Sequence, residues 1–547
     1  MAKYAPTFYK AAAWAYNNPS LLVTDQGAIL ALTQGVRQGD PLGPFLFSLA
    51  FRPTLERLIQ QLPNATLIAY LDDLYILNKD STSALETAKE VFQGSPLTLN
   101  LAKSQERDLE DLRKEGLKAL GSYIGPLELR KAFLQGKINK LAKALKALKD
   151  LPKQHALLLL RGSIHLLLRH LLRQLDPRGL EDLWGTADSL IKETIEALAT
   201  RNLGDKPPSN LNQDLIALPA RDGGLGIPLH KELASGLYQA AREASRKTLD
   251  KIQSNLLSNP SLGLEPDSSI RQANLTSSKL SAQEVLIKAN RERLQRLERS
   301  LPNNLLQARL ENASYLGCKW LRVLPTQKQL SFTDPEATEA IRSRLFLPIR
   351  PLDSPCSYCG CRVALGHEDT CKGASRRWTS RHDQITRAFI NTLSSRANLE
   401  VEKEPKVSQG DSLRADFAVT LGNSRYFYDV QVVAISKESA KQDAYSTLAE
   451  AAEEKRRKYS SLGAFFRPLI FSAGGLMEKE TAKTYKGLQQ LIGPVAASWL
   501  DSSIGLILTK TRAVSAVSIV RENPSIPEAN WEAIREHLRK QKQTRKA

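Results

Sequence analysis

The sequence predicts a multidomain α+β protein, and three observations lead to that prediction. The chain has 547 residues, enough for roughly three to five domains of ordinary size. A hydrophobic content of 42% is sufficient for well-packed cores and excludes a disordered protein. Stretches with strand-like alternation lie towards both ends, and long stretches with helical periodicity lie between them.

The charge of the chain predicts a polyanionic partner. The net charge is +19 and the pI is near 9.6, an excess typical of proteins that bind nucleic acid. Residues 130–178 hold twelve Lys or Arg against two acids, and residues 535–547 hold six against Glu536. Such concentration favours a surface that follows a phosphate backbone, although a generic basic surface remains an alternative.

The cysteine count and the apolar stretches indicate where in the cell the protein is located. Five cysteines in so long a chain do not form a disulfide framework, and the first residues lack the apolar core of a signal peptide. The most apolar stretch, 155–172, is interrupted by Arg161 and Arg169, which argues against a membrane span. We expect an intracellular, reduced protein located in the nucleus, with no membrane partner; the oligomeric state stays open.

The first elements are a loop, a helix and a hairpin. Residues 35–44 (GVRQGDPLGP) have loop chemistry, and a helical pattern follows with Leu55, Leu58, Ile59 and Leu62 on one face. Two apolar runs, 66–71 and 74–77, are separated by Asp72 and Asp73. Adjacent carboxylates repel each other, so this hairpin tip favours a divalent cation such as magnesium. A solvated turn is the alternative.

Four motifs in order resemble the reverse transcriptases of non-LTR retrotransposons. They are GVRQGDPLGP, the YLDD of residues 70–73, LNLAKS from Leu99 and LGSYIG from Leu120. The resemblance implies a right-hand polymerase palm in which Asp72 and Asp73 are catalytic carboxylates that bind magnesium. It also implies contacts to substrate and template from Arg37, Gln38, Gly39 and Lys103.

The chain departs from that family in one respect. The family carries an earlier metal-binding Asp before the GVRQGDP-type loop, whereas Asp25 is the sole acid among the 34 residues that precede Gly35 here. We therefore expect an amino-terminally truncated, partial palm that binds catalytic magnesium poorly and has little polymerase activity by itself.

The middle of the chain is predicted to be helical. Apolar residues recur in steps of three and four, which predicts a helix that ends at Pro152. The apolar face consists of Leu134, Ile138, Leu141, Leu145 and Leu148. The other faces carry Lys137, Lys140, Lys143, Lys146 and Lys149. By resemblance, this helix starts a thumb whose Lys137 and Lys140 grip a duplex. A buried helix is expected at 154–175, a glycine-rich connector at 218–228, and further helices up to residue 350.

Four of the five cysteines lie between positions 356 and 371. Cys356, Cys359, His367 and Cys371 have the ligand types and short spacings of a closed structural zinc site. Cys361 is spare or replaces Cys359, and Cys318 is expected in the core. A chance cluster of thiols is the alternative. Non-LTR elements with restriction-like nucleases carry a similar zinc knuckle immediately before the nuclease.

A second hairpin is expected around Gly422-Asn423, between the alternating stretches 412–421 and 425–433. In a two-residue hairpin Leu421 pairs with Ser424, and counting outward places Asp416 opposite Asp429, roughly 5 Å apart between Cβ atoms. A three-residue turn would offset the two acids. Alternatively, Arg414 and Arg425 neutralise two ordinary surface acids.

This region is similar to the PD-(D/E)xK-like endonuclease of the same elements. The matching segments are Arg381-His382-Asp383, Glu404-Pro405, Arg414-Ala415-Asp416 and Asp429-Val430-Gln431-Val432, with Ala415 in place of Pro and Gln431 in place of Lys. The resemblance implies magnesium or manganese at Asp416 and Asp429, and DNA contacts from Arg381 and His382. It implies a catalytic lysine from the next helix, Lys455 or Lys458, with Lys437 as third choice. A solvated basic helix face or a localisation signal is the alternative.

The resulting organisation has six regions. They are a partial palm (1–129), a thumb-like helical region (130–215), a helical linker (216–350), a zinc knuckle (351–375), an α/β restriction-like nuclease (376–510) and a basic tail (511–547). The implied function is nicking of target DNA followed by reverse transcription of the element RNA. Two alternatives stay open, a non-catalytic remnant that binds nucleic acid and a decayed reading frame.

Overall fold

The computed structural model describes residues 5–24, 27–33, 35–36, 39–78, 81–202, 206–209, 211–257, 281–356, 358–408, 412–436 and 443–520. The chain divides into two compact units. The first contains Met1–Phe133, Arg173–Asp176 and Tyr238–Ala282, and the second contains Leu134–Leu172, Pro177–Leu237 and Gln283–Ala547. The division between the units falls inside the helix that begins at Leu127. That helix runs across the predicted 129/130 boundary.

The first unit joins short hairpins to helices. Its elements in chain order are α1 Pro6–Tyr16, β1 Ser20–Val23, β2 Ile29–Leu32, α2 Gly43–Gln61, β3 Thr66–Tyr70, β4 Asp73–Leu77, α3 Ser81–Gln93, α4 Leu109–Glu115, β5 Leu117–Ala119, β6 Ser122–Ile124 and the start of α5 Leu127–Ala147. A small core lies between α2, α3 and the β3–β4 hairpin. Leu58 and Leu62 enter it as predicted, but Ile59 is 53% exposed, because it lies to one side of the buried stripe.

The first predicted hairpin forms with a shifted tip. Tyr70 pairs with Asp73, so the two turn residues are Leu71 and Asp72, and Asp73 begins β4. Leu71 has a φ of 54°, the left-handed conformation that a tight two-residue hairpin turn requires. The expectation that both acids occupy the turn was therefore wrong by one residue.

The lysine-rich helix is confirmed, whereas the next predicted helix is broken. Leu134, Ile138, Leu141 and Leu145 are buried along α5, and Leu148 continues the seam in a 3₁₀ turn. Residues 154–175 form α6 Lys153–Gly162, a 3₁₀ turn and α7 Leu171–Gln174 instead of one helix. The break follows Gly162 and Ser163, where a glycine and a hydrogen-bonding side chain both weaken a helix.

Helices dominate the first half of the second unit. After α6 and α7 they are α8 Glu181–Leu198, α9 Gln213–Ala217, α10 His230–Leu257, α11 Ala282–Ser300, α12 Asn303–Ala313 and α13 Asp334–Arg344. Of α10, this unit contains the part up to Leu237, and the first unit contains the rest. The glycine-rich segment at 218–228 is part of their packing, because the buried guanidinium of Arg344 donates to the carbonyl oxygens of Ala220 and Gly224. Close approach explains a glycine there, since a Cβ on Gly224 would lie 2.3 Å from the Leu218 oxygen.

The carboxy-terminal half of this unit is an α/β sandwich. Its elements are α14 His367–Thr370, α15 Ser375–Ser394, β7 Glu400–Lys403, β8 Phe417–Leu421, β9 Ser424–Val433, α16 Ala444–Lys458, β10 Phe466–Ser472, α17 Lys479–Ile492 and α18 Pro494–Val520. The strand order is β10-β9-β8-β7, with β10 parallel to β9 and the other pairs antiparallel. One sheet face packs on α15, α17 and α18, and the other packs on α16.

The last helix has two roles in packing. Leu500, Ile504 and Leu508 of α18 enter the main core, while Ala516 and Ile519 pack against the cysteine segment. The helix therefore continues through the predicted 510/511 boundary, and the rest of the predicted basic tail, from 521, lies outside the described residues. By length and composition α18 could cross a membrane, but half of its most apolar window is buried inside the protein, which is the usual state of a core helix.

Candidate active site and metal centre

The second hairpin forms around the turn that the sequence predicts. Leu421 pairs with Ser424 and Phe417 with Tyr428, and Gly422 has a φ of 56°, as the two-residue turn needs. Over these pairs the predicted register is confirmed. Asp416 lies one residue beyond the last pair: its amide donates to the Tyr428 carbonyl, 2.9 Å away, and its carboxylate accepts the Val430 amide, so the side chain lies beside the segment that carries Asp429. The direct pairing of Asp416 with Asp429 stays a prediction.

Asp416 lies just before β8 and is held from two directions. Its Oδ2 accepts the Val430 amide at 2.6 Å and lies 3.0 Å from Nε2 of His382. The hydrogen bond to Asp416 raises the pKa of His382 to about 9 against the opposing effect of burial, and Asp383 adds to the rise. At neutral pH the imidazole is therefore cationic and fixes one carboxylate oxygen.

Asp429 lies in the middle of β9 and is 5% exposed. Its Oδ1 accepts the hydroxyl of the buried Tyr459 at 2.6 Å, and its Oδ2 forms an ion pair with the ammonium of Lys455. Burial and the neighbouring Asp429 raise the pKa of Tyr459, so Tyr459 stays a hydrogen-bond donor. Lys455 lies on α16 and Tyr459 directly follows that helix, four residues later, so both project from the same side of it.

The other predicted catalytic and binding residues lie in different surroundings. Lys458 is exposed, with its ammonium 5.1 Å from the centre of the Tyr459 ring, and Lys437 lies outside the described residues. Arg381, expected at DNA, is only 4% exposed and faces Asp369. Burial lowers its pKa.

The two arginines of the surface-pair alternative are engaged elsewhere. Arg414 donates to the Glu404 carbonyl oxygen, and Arg425 forms an ion pair with Glu402. Glu404, part of the nuclease resemblance, approaches the site through its backbone, since its amide donates to the carbonyl oxygen of Asp416 at 3.0 Å. Neither guanidinium therefore neutralises Asp416 or Asp429, as the surface-pair alternative requires.

A second group forms around the cysteines. One ligand atom from each of Cys356, Cys359, His367 and Cys371 lies within 4.8 Å of the others. Cys356 and Cys371 are 4.0 Å apart between sulfurs, and Cys359 Sγ lies 3.5 Å from Nε2 of His367. Cys361 is exposed and points to the Cys359 carbonyl oxygen. The geometry thus favours Cys359 over Cys361 as a ligand.

The members of this group differ in protonation. Burial raises the pKa of Cys359 to about 12 and also raises the pKa of Cys371, whereas hydrogen bonds lower the pKa of Cys356 against the effect of burial. Burial also lowers the pKa of His367. A neutral imidazole is the metal-binding form, and a divalent cation would deprotonate buried thiols directly. Three thiolates and one imidazole at these separations suit tetrahedral zinc.

The acids of the first hairpin lie at a surface pocket. Asp72 and Leu71 line a pocket of about 450 Å³ together with Gly39 and Asp40 from the GVRQGDPLGP loop. The loop and the YLDD turn therefore meet, as expected of a shared substrate site. Both Asp72 and Asp73 are exposed, and within the described residues neither forms an ion pair or a side-chain hydrogen bond.

Comparison with known proteins assigns this first region. Residues 6–124 match the family model of the reverse transcriptase (RNA-dependent DNA polymerase). The chain is therefore similar to reverse transcriptases over these residues. It is also similar to the Retrotransposable element SLACS 132 kDa protein of Trypanosoma brucei gambiense, with 27% identity over 237 residues.

That match covers 40% of this chain and 20% of the relative. The chain thus spans about a fifth of the length of the retrotransposon protein it matches. The two comparisons support a retrotransposon-type reverse transcriptase protein, as the four motifs in the first region predict.

The remaining predicted contacts of the reverse transcriptase domain lie at the surface or outside the described residues. Lys103 is exposed in a turn closed by its amide and the Asn100 carbonyl oxygen. On α5, beyond this domain, Lys140 is exposed and Lys137 is half-buried. Asp25, Arg37 and Gln38 lie outside the described residues.

Two residues of the nuclease candidate were not assigned these roles from the sequence. The sequence predicts no role for Tyr459, and it places His382 at DNA although the imidazole contacts Asp416. A helical-period argument could have found Tyr459, because it extends the buried stripe that Leu448, Ala451 and Ala452 form on α16. The position of His382 depends on packing between α15 and the sheet, which no local pattern encodes.

Proposed function

We propose that the α/β region from Arg376 onward is a metal-dependent endonuclease that nicks DNA, carried by a retrotransposon-type reverse transcriptase protein. One observation carries the proposal: the Asp416 carboxylate accepts the amide of Val430, the residue after Asp429, and the Lys455 ammonium forms an ion pair with Asp429. Two acids and one lysine gathered in this way are the side chains that metal-assisted phosphodiester hydrolysis requires.

The donor set fits magnesium or manganese. Magnesium takes one or two protein carboxylates and completes its shell with water and phosphate oxygens. Burial raises the pKa of Tyr459, and both carboxylates lie close enough to raise it further. Two neighbouring like charges favour a cation between them. Bound there, the ion would lower the pKa of a coordinated water and supply hydroxide. Asp416 and Asp429 would hold it.

The neighbouring side chains have distinct tasks. Lys455 is placed to offset the charge that develops on the phosphate in the transition state. Tyr459 fixes Asp429 through its hydroxyl, and the Val430 amide with His382 fixes Asp416. Held in this way, the carboxylates lose little freedom when they bind an ion.

The test compares the two acids with a third on the same sheet. Asp416→Ala and Asp429→Ala should each abolish nicking of supercoiled DNA in magnesium or manganese. DNA affinity, measured by fluorescence anisotropy, should stay intact or rise slightly, because each change removes a negative charge near the backbone. Glu402→Ala, an exposed acid on β7, is the matched control and should nick like the wild type.

A different function would follow from one outcome. If the wild-type protein binds DNA but cuts no faster than Asp416→Ala across both metal titrations, the nuclease proposal fails. The lysine face of α5, exposed at Lys140 and Lys146, favours a nucleic-acid-binding remnant as the replacement. Binding that weakens steeply with salt would then be its signature.

We also propose that the Cys₃His group binds one zinc ion. About one equivalent should copurify and should be lost in Cys359→Ser and Cys371→Ser. Cys361→Ser is the matched control, because Cys361 is exposed outside the group. Retention of zinc in Cys359→Ser with loss in Cys361→Ser would move the ligand assignment, and zinc-free wild-type protein would refute the site.

For the reverse transcriptase domain we propose target DNA and element RNA as partners and no polymerase activity by this chain alone. The support is local. Both acids are exposed, and within the described residues neither forms an ion pair or a side-chain hydrogen bond that would orient its carboxylate for a metal ion.

A further inference from the structure

A buried ion network links the cysteine segment to the nuclease candidate. It contains Asp369, Arg381, Arg512 and Glu311, which we call the Asp369 network. Asp369 lies on α14 between two of the proposed zinc ligands, His367 and Cys371, and is 5% exposed. Its Oδ2 lies 2.6 Å from the Arg512 guanidinium on α18, and its Oδ1 lies 3.9 Å from that of Arg381 on α15.

The network continues to the far end of the sheet. Arg512 also binds Glu311 Oε2 at 2.8 Å, and Glu311 Oε1 accepts the Gly474 amide at 2.9 Å, two residues after β10. Arg512 is therefore the centre of a buried group that ties α12, α14 and α18 together. Apolar packing runs beside it, since Cys356 and Cys371 share a cluster with Ala516 and Ile519 of α18.

Arg381 gives the network a route to the acid pair. It immediately precedes His382 on α15, and the imidazole of His382 lies 3.0 Å from Asp416 Oδ2. Adjacent helix residues point about 100° apart, so one rotation of α15 sets both side chains. With α15 in its observed orientation, Arg381 faces Asp369 and His382 faces Asp416.

Buried charges tolerate few arrangements. An ion taken out of water is unfavourable unless an opposite charge lies near it. Arg381 and Asp369 are such a pair: no hydrogen bond joins them, but at 3.9 Å each is the other's buried counter-charge. Arg381 is buried next to His382. If α15 moved independently of α14, the charge of Arg381 would lose Asp369 as its partner. The contact fixes the helix to the segment that carries His367 and Cys371.

We propose that Asp369 and Arg381 are positioning residues through which the metal-loaded cysteine segment sets the orientation of α15 and thereby the His382–Asp416 contact. The cysteine segment is then a structural part of the nuclease region rather than an independent nucleic-acid-binding finger. The proposal rests on the proposed function only for its activity readout, and its structural readout stands without it.

The first experiment measures hydrogen exchange of the full chain, with and without zinc. Chelation should speed amide exchange in residues 375–394 as well as in residues 356–371, because coupling between two sites is reciprocal. Zinc-loaded Asp369→Asn should reproduce the faster exchange of 375–394 while β8 and β9 stay protected. Glu480→Gln, a neutralised carboxylate of an exposed ion pair on α17, is the control and should exchange like the wild type.

The second experiment uses the same variants in DNA nicking. Asp369→Asn and the milder Arg381→Lys should lower kcat about tenfold with KM for DNA unchanged, the size typical of residues that orient a metal ligand. Arg381→Lys keeps the charge but loses the planar fork of the guanidinium. Zinc content is measured in parallel, so that loss of metal is separated from loss of coupling.

Three outcomes separate the alternatives. If 356–371 opens on chelation while 375–394 keeps its full protection, the segment is an autonomous appendix and the proposal is overturned. If either variant raises KM and leaves kcat unchanged, the segment acts as a DNA contact, which also overturns it. If the wild type does not cut DNA but the exchange of 375–394 still follows zinc, the proposed function fails and the positioning contact stands.

Discussion

Two hairpins in this protein present a pair of aspartates, and they differ in what surrounds the pair. Asp72 and Asp73 lie at an exposed tip beside an open pocket. Asp416 and Asp429 lie where α15 and α16 meet the sheet, with Asp429 buried between Lys455 and Tyr459. The same residue type therefore occupies a solvated turn in one unit and a framed site in the other.

The difference teaches what a paired-acid motif requires to become a site. Carboxylates in water gain little from a nearby cation, because solvent screens the interaction. A partly buried pair is different, since each charge needs a hydrogen-bond donor or a cation to offset its lost hydration. Of the two hairpins, as far as the structure describes them, only the second has those donors at hydrogen-bond distance.

Lys455 should have the largest effect among the residues that frame the second pair. Lys455→Ala should lower the nicking rate about a hundredfold, because it removes a cation preorganised beside the reacting phosphate. Lys458→Ala is the matched control on the same helix, and should mainly weaken DNA binding. Single-turnover nicking with saturating protein separates the two effects. Equal rate losses in both variants, or the larger loss in Lys458→Ala, would break the contrast.

Tyr459 should come next, through the carboxylate that it holds. Tyr459→Phe leaves Asp429 Oδ1 without its donor, so nicking should fall about tenfold and the free energy of unfolding should fall by about 1–3 kcal/mol. Tyr445→Phe, an exposed tyrosine on α16, should change neither quantity. Urea unfolding and nicking assays check the pair of variants; unchanged activity in Tyr459→Phe would show that Asp429 does not depend on this bond.

Local pattern was sufficient to predict the strands and the register of the second hairpin. Alternation defined the strands, and Gly422-Asn423 defined a two-residue turn, so the pairs from Leu421–Ser424 to Phe417–Tyr428 formed as expected. The lysine seam of α5 was equally predictable, because steps of three and four residues define one helix face. These features depend on neighbours within a few residues.

Features that depend on packing between distant segments were not predictable. Arg381 looked like a surface DNA contact, but α14 brings Asp369 against it and the residue is buried. The helix through 154–175 was expected to be continuous, but it breaks after Gly162, where the chain turns. The cysteine segment packs on Ala516 and Ile519 of α18, a contact that the spacing of its cysteines does not predict.

His382 should make a smaller contribution that depends on pH. Its pKa is raised to about 9 in the folded chain from an ordinary 6.5, so folding favours the imidazolium. The stability that this contact adds is fully present below about pH 6.5 and is lost as the pH rises through about 9. His382→Gln should therefore lower the unfolding free energy more at low than at high pH.

Urea unfolding with a chelator present, at pH values on either side of that window, measures the difference between wild type and His382→Gln. Gln384→Ala serves as the control without a titrating group, because Gln384 is exposed on the same helix and its amide bonds to Ser380 rather than to Asp416. This control should lower stability equally at all pH values. A wild-type advantage over His382→Gln that grows with pH would mean that His382 does not hold Asp416 as an imidazolium.

The smallest effect is expected at the first hairpin, and it tests the comparison from the other side. Asp72 and Asp73 are exposed, so the double variant Asp72→Ala/Asp73→Ala should fold with nearly unchanged stability. Purified wild-type chain should extend a primed RNA template no better than this variant in magnesium or manganese, because within the described residues no hydrogen-bond donor or cation orients the two carboxylates. DNA nicking by the variant should equal that of the wild type. Robust extension that disappears in the double variant would show that an exposed acid pair works without the frame that surrounds Asp416 and Asp429, and the contrast between the two hairpins would no longer hold.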